Sequence, residues 1–392
     1  MIAIFVQVAL FSIIKFISPG LLLYYQKQEL ELELQMALCT AWSAATDYLG
    51  EEVAVAYRRG LELCRQIQHV PHLFTVLWGL HEVALYRAEY RESLELAQQC
   101  LSIAEELDDP GLQLEAHHAA WGPYYFLGEY EQAFRHMERG LALYDRPAHE
   151  RLSVEYGVHD ARACALYESA LALWNLGFIE QARRKLDAFL AHADELSLPS
   201  NLADSFGYAG LLFHLLRDPQ RAQSYAKRAL QISTEKSYRY SGFLSRMVLG
   251  WSLVAQGHVA EGVVLAEKAM AASAAFGQRL HRSQFAAMLA EACMLAGRYA
   301  EANDVTDAGI AEFGRFRDLV CAPDLWILKG DALQALGTAD DQVEACYKEA
   351  LTLARTLRAR VSELRAAVNL ARLRRRQGRS AEGHQALHAV CN

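Results

Sequence analysis

The eleven residues FLGEYEQAFRH, 126–136, decide the fold. Leu127-Gly128 ends an apolar run, and glycine accepts the left-handed backbone that closes a helix. Tyr130 then opens a second helix with a small residue, Ala133, three positions in. The same succession recurs as DYLGEEVAVAY, YRAEYRESLELA, NLGFIEQARRK, LLRDPQRAQSY, AQGHVAEGVVL, LAGRYAEANDV, ALGTADDQVEA and RQGRSAEGHQA. Aligned on Gly50, Ala88, Gly128, Gly177, Arg217, Gly257, Gly297, Gly337 and Gly378, the turns lie 38, 40, 49, 40, 40, 40, 40 and 41 residues apart. A two-helix unit repeated at this period is a solenoid. The expected fold is all-α, with about nine helical hairpins and a period near 40 residues.

Each unit carries the physical marks of such an array. Before the turn, apolar residues recur at spacings of three and four, as in Leu244, Val248, Trp251 and Leu253-Val254. After it, small residues stand where two helices must approach: Ala133, Ala182, Ala222, Gly262, Ala302 and Ala345. Prolines fall at expected helix starts, in DDPGLQ, SLPSNL and CAPDLW, where the missing N–H removes no helical bond. Gly122-Pro123 in AAWGPYYF is expected to kink or break its helix.

The LG-x-Y-x-x-A pattern resembles the tetratricopeptide repeat (TPR), stretched from about 34 residues. The strings LFTVLWGL, YGVHDARACALYESALALWNLG, VLGWSLVAQGHVAEG, DLWILKGDALQALG and SELRAAVNLARLRRRQGR are similar to the carboxy-terminal repeat region of large bacterial signalling proteins. In those proteins a class III nucleotide cyclase, a kinase or a DNA-binding domain precedes a P-loop ATPase core and then the array. The resemblance covers roughly residues 28–390. It implies a right-handed TPR-like α-solenoid, here residues 28–392. It brings no activity with it, because the chain has no GxxxxGK[ST] phosphate cradle and no strand-rich cyclase domain.

Composition agrees with a folded repeat array: 53% hydrophobic residues exclude a disordered chain. Residues 355–379 form an Arg-rich end. From 355 to 392, nine arginines face only Glu363 and Glu382, so this stretch carries +7 and the remainder −15 of a chain whose total is −8. The eight cysteines are scattered without a CxxC, which argues against a disulfide framework and a zinc ribbon and fits a reducing, cytoplasmic compartment. Residues 1–27 stand apart. Their first 25 are apolar but interrupted by Lys15 and Ser18-Pro19-Gly20, whereas a spanning helix needs about 20 nearly uncharged residues. A membrane anchor or uncleaved signal, a capping helix and an aberrant start remain open readings of residues 1–25.

The 49-residue interval between Gly128 and Gly177 holds about nine surplus residues, an enlarged inter-repeat loop at 145–160. Its candidates are Tyr144, His149, Tyr156, His159 and Asp160. Asp160 precedes the apolar-periodic ARACALYESALALW and is placed to cap that helix, while the tyrosines would cover the hairpin edge. A metal site would need His149, His159, Asp160 and Cys164 to converge, at spacings unlike HxxxH or CxxC. No metal, cofactor or catalytic residue is expected.

In a TPR array the first helices line a concave groove. Here they carry His81, His117, Trp121, Tyr124, Tyr208, His214, Arg246, Gln284, Trp326 and Lys329. As a set these are the candidate surface for an extended peptide or partner helix; taken singly, the aromatics also suit hairpin cores. The arginines of the carboxy-terminal end surround an apolar stripe without interleaved aromatics, so nucleic acid is not expected as a partner. The expected function is a non-enzymatic scaffold for protein–protein interaction in a bacterial signalling or transcription system. The alternatives are a small-molecule-sensing repeat domain and a fragment of a cyclase or ATPase protein. The sequence leaves the oligomeric state undecided.

Overall fold

The computed structural model describes residues 24–391 except 47, 69, 147–151, 153–155 and 157–159. The described residues form eighteen α-helices and no strand. They pair in chain order: α1 (Tyr24–Thr46) with α2 (Glu51–Ile67), α3 (Val70–Tyr86) with α4 (Tyr90–Leu107), and α5 (Pro110–Phe126) with α6 (Tyr130–Leu143). Then come α7 (Ala161–Asn175) with α8 (Ile179–Ala193), α9 (Pro199–Leu215) with α10 (Pro219–Lys236), and α11 (Arg239–Ala255) with α12 (Val259–Ala275). The last three hairpins are α13 (Arg282–Leu295) with α14 (Tyr299–Phe316), α15 (Ala322–Ala335) with α16 (Asp340–Thr356), and α17 (Arg360–Arg376) with α18 (Ser380–Cys391). No helix among the described residues is long and apolar enough to cross a membrane; the amino-terminal segment lies outside them, apart from its last residues at the start of α1.

Left-handed backbone marks the repeat more regularly than the sequence does. Within the hairpins it falls at Tyr48, Ala88, Gly128, Gly177, Arg217, Gly257, Gly297, Gly337 and Gly378. The first hairpin turns at Tyr48 rather than Gly50, whose backbone is extended at φ −63° and leads into α2. That correction makes the first interval 40 residues. Between hairpins a second series, Gln68, Asp108, Ser237, Gly277 and Arg317, repeats the period. Pro123 lies inside α5, which continues to Phe126 instead of breaking.

Packing follows from which face each helix buries. The outer helix α6 covers Tyr130, Ala133, Met137 and Gly140, one stripe at helical spacing. The inner α5 buries twelve of its 17 residues, because it touches its own partner, the flanking inner helices and the interior of the superhelix. Five residues past the turn, Val53, Ser93, Ala133, Ala222 and Ala302 are fully buried where the paired helices meet. Ala345 does not hold this place. It is exposed, and since the turn after Gly337 is one residue longer, Val343 occupies the buried position. Among the glycines, the closest approach of backbone to backbone joins Gly250 of α11 and Gly262 of α12. A Cβ on Gly262 would lie 2.5 Å from the Gly250 carbonyl oxygen, and backbone cannot swing aside. Gly262→Ala is therefore expected to destabilise the array by about 1–3 kcal/mol, read as a lower chemical-denaturation midpoint.

The superhelix closes on itself. Leu319 N–H donates to the Phe126 carbonyl at 2.9 Å, and the Tyr130 hydroxyl donates to the Val320 carbonyl at 3.3 Å. Arg358 pairs with Glu131 at 2.8 Å, and α7 touches α17. Hairpins four and more places apart thus meet across the axis, leaving a packed interior with discrete cavities.

Candidate functional site

Five successive inner helices, α3 to α11, and the linker before α13 enclose the first cavity. It leaves about 70 Å³ for the centres of water-sized groups. Carboxylates Glu82, Asp160, Glu168 and Asp204 line it, and among the described residues neither lysine nor arginine does. His281 enters from the linker in a left-handed conformation, φ 61°, that a non-glycine residue holds only under surrounding constraint. Its Nε2 lies 3.1 Å from the Tyr208 hydroxyl, which is 2.7 Å from that of Tyr240. The Tyr208 ring also stacks on Tyr167, with centroids 3.8 Å apart.

Burial sets the charge states. It pushes Glu168 up to about 8 and lowers His281 to about 3 and His118 to about 4. The Cys164 thiol and the Tyr167, Tyr208 and Tyr240 hydroxyls are driven well above their ordinary values by the same desolvation. Cys164 is thus a neutral thiol rather than an activated nucleophile.

Asp160 performs the predicted capping. Its Oδ1 accepts from Ala163 N–H at 2.8 Å at the start of α7, and the carboxylate also takes hydrogen bonds from His192 Nε2 at 2.8 Å and the Tyr144 hydroxyl at 2.9 Å. Burial alone would raise the Asp160 carboxyl, but these donors, His192 foremost, hold it below its usual range. Tyr156 reaches back to the second hairpin, with its ring 5.4 Å from Trp78 and its hydroxyl 3.2 Å from that of Thr75. His149 and His159 lie outside the described residues, and among those described no group of three His, Cys, Asp or Glu is arranged to hold a metal ion.

A second cavity, about 210 Å³, lies further along the axis between the ends of α5, α7 and α9 and the facing α13, α15 and α17. Glu291 joins its two sides, receiving His214 at 3.1 Å and pairing with Arg217. Burial would raise the Glu291 carboxyl, yet the hydrogen bond with His214 and the nearby charges of Arg217 and the more distant Arg365 lower it to about 2. Arg365 and Ser362 both bond Asp324.

The ten groove candidates divide evenly. His81, Trp121 and Tyr208 border the first cavity, and His214 and Gln284 the second. The others border neither. His117 lies 3.0 Å from His136 of α6, Tyr124 stacks on that same ring, and Lys329 covers Trp326 and bonds Asp307 of α14. Arg246 is half-buried on α11. Sequence reasoning missed Glu168, Asp204, Tyr240 and His281, which read there as ordinary helix or linker residues. The basic end is largely paired within the chain: Arg355 and Arg360 with Glu363, Arg358 with Glu131, Arg365 with Asp324, and Arg374 and Arg379 with Glu344. Cys39, Cys64, Cys100, Cys164, Cys293, Cys321 and Cys346 are all free and buried.

This architecture is a TPR-like α-solenoid, and comparison with known proteins agrees. No family model matches the sequence. An uncharacterized protein of Rhizobium meliloti (strain 1021) is 22% identical over 256 residues, 65% of this chain and 25% of that protein. The chain therefore spans about a quarter of the length of that curated relative. Among solved structures, a Rap protein complexed with competence and sporulation factor superposes with a TM-score of 0.59 at 14% identity, over 91% of this chain and 99% of that one. The Rap conjugation gene regulator of plasmid pLS20, in complex with the Phr* peptide, gives 0.53 at 12% identity over 91% and 93%. These likenesses establish the fold.

Proposed function

We propose that this chain is a non-enzymatic TPR regulator that binds a short peptide, or a peptide segment of a partner protein, on the inner face of its superhelix. The observation that carries the reading is the lining of that face. Two cavities hold aromatic rings and polar side chains from successive inner helices, converging where an extended chain would run along the axis. The solved structures of like fold with a factor or a peptide bound support it by analogy. Binding would act by favouring one packing of hairpins over another, with no bond made or broken. The match to a quarter of a longer protein, and the resemblance to repeat regions of bacterial cyclase, kinase and transcription regulators, suit a regulatory module. The test pans a library of random pentapeptides to decapeptides against the purified chain. The expected result is an enriched consensus that binds saturably and competes for one site. A library that yields no consensus, or binders unaffected by substitutions at Tyr208 and Gln284, would contradict the proposal.

A further inference from the structure

Three buried polar atoms of residues lining the first cavity have no hydrogen-bond partner among the described residues. Glu168 is half-buried as a residue, but its Oε2 is sealed from solvent and has no hydrogen-bond partner among the described residues, while its Oε1 accepts from the Cys164 thiol at 3.8 Å. Asn201, 4% exposed, leaves Oδ1 unpartnered, and His281, also 4% exposed, leaves Nδ1 so. In the tautomer whose Nε2–H donates to Tyr208, with Tyr208 donating on to Tyr240, Nδ1 is an acceptor. A buried acceptor without a donor is costly. These three stand on separate elements, α7, α9 and the linker before α13, around one cavity.

We infer that this cavity is a cation site that takes the primary ammonium group of a ligand, with Glu168 Oε2, Asn201 Oδ1 and His281 Nδ1 as its acceptors. A primary ammonium has three N–H donors and no acceptor, which matches the number and kind of vacant partners. Its charge answers the carboxylates there, for among the described residues no lysine or arginine lines the cavity and charge-assisted bonds are the strong ones. The small free volume suits an ammonium on a slender alkyl stem better than a planar guanidinium. The elevated Glu168 agrees, since its carboxyl lacks the counter-charge that such a group would bring. Two sources supply this chemistry: a lysine side chain or amino terminus of the peptide proposed above, or a free alkylamine. Only the first rests on the peptide reading.

The experiment is calorimetric titration of the full chain at pH 8.5 and fixed ionic strength with butylammonium, with n-butanol as its neutral counterpart, and with a capped Ala-Ala-Lys-Ala-Ala peptide. Saturable binding of butylammonium and not of n-butanol is expected, weakened roughly tenfold or more by Glu168→Gln and by Asn201→Ala, two variants on different helices. Both should keep the parent's thermal midpoint within a few degrees. A capped peptide that binds more tightly than butylammonium assigns the group to a peptide; the reverse order assigns it to a free amine, and either supports the site. If butylammonium does not bind, binds no better than n-butanol, or binds both variants undiminished, the inference is overturned. Library peptides that bind regardless of lysine and of Glu168, with no binding of butylammonium, would overturn it while leaving the peptide reading intact. Butylammonium binding without any library consensus would do the opposite.

Discussion

Replacing Trp121 with alanine is expected to destabilise the array by about 3–5 kcal/mol, the range for deleting a large buried aromatic. Trp121 is 1% exposed. Its ring stacks on His118 at 4.6 Å, and it packs so closely on α6 that Gly140 has no room for a Cβ, which would fall 2.7 Å from the indole. Neighbouring helices cannot readily collapse into the hole, because the end of α5 and the start of α6 are pinned by the Phe126 and Tyr130 bonds to residues 319–320 across the superhelix. The measurement is chemical denaturation followed by circular dichroism. A loss under about 1 kcal/mol would mean that the third hairpin is not packed as described. Trp121→Phe keeps most of the ring volume and should lose far less.

The second large effect is expected from Asp160→Ala. The cap itself is worth about 0.5–2 kcal/mol, and removing the carboxylate also strands the buried His192 and the Tyr144 hydroxyl, each left without its acceptor at about 1–3 kcal/mol. A total near 2–4 kcal/mol follows, because these terms share one solvated alternative and do not fully add. Solenoids unfold by neighbouring repeats, so the loss should be local. Hydrogen exchange should show α7 and α8 losing protection while α15 to α18 keep theirs. Asp160→Asn retains an acceptor for Ala163 N–H and should recover part of the loss. Uniform loss along the chain, or none, would remove Asp160 from its assigned place.

Asp160 also shows which parts of the molecule the sequence discloses. A cap, a left-handed turn and a helix stripe are decided within a few residues, so the hairpins and their period could be read directly. Even there chemistry misled twice. Gly50 is the better left-handed residue but Tyr48 turns the chain, and Ala345 is the smaller residue but Val343 sits in the contact. The site was harder to read because it depends on the rotation from one hairpin to the next, a small angle set by packing along every interface. That rotation brings Phe126 to within 4.8 Å of the His281 ring and Tyr86 to within 6.1 Å of Tyr240, pairs separated by some 150 positions. Glu168 and His281 carry no motif. Their signal is a lone carboxylate within the apolar run ALYESALALW and an imidazole in the linker before α13, and it acquires meaning only once the superhelix closes.

The central claim is that the inner face of the closed superhelix is the binding surface. Hydrogen exchange of the full chain with and without a library-selected peptide tests it most directly. The account predicts added protection in α5, α7, α9 and the linker at residues 277–281, with the outer helices α6, α8 and α10 unchanged. Protection confined to the outer helices, or to the arginine-rich end at residues 355–379, would contradict it.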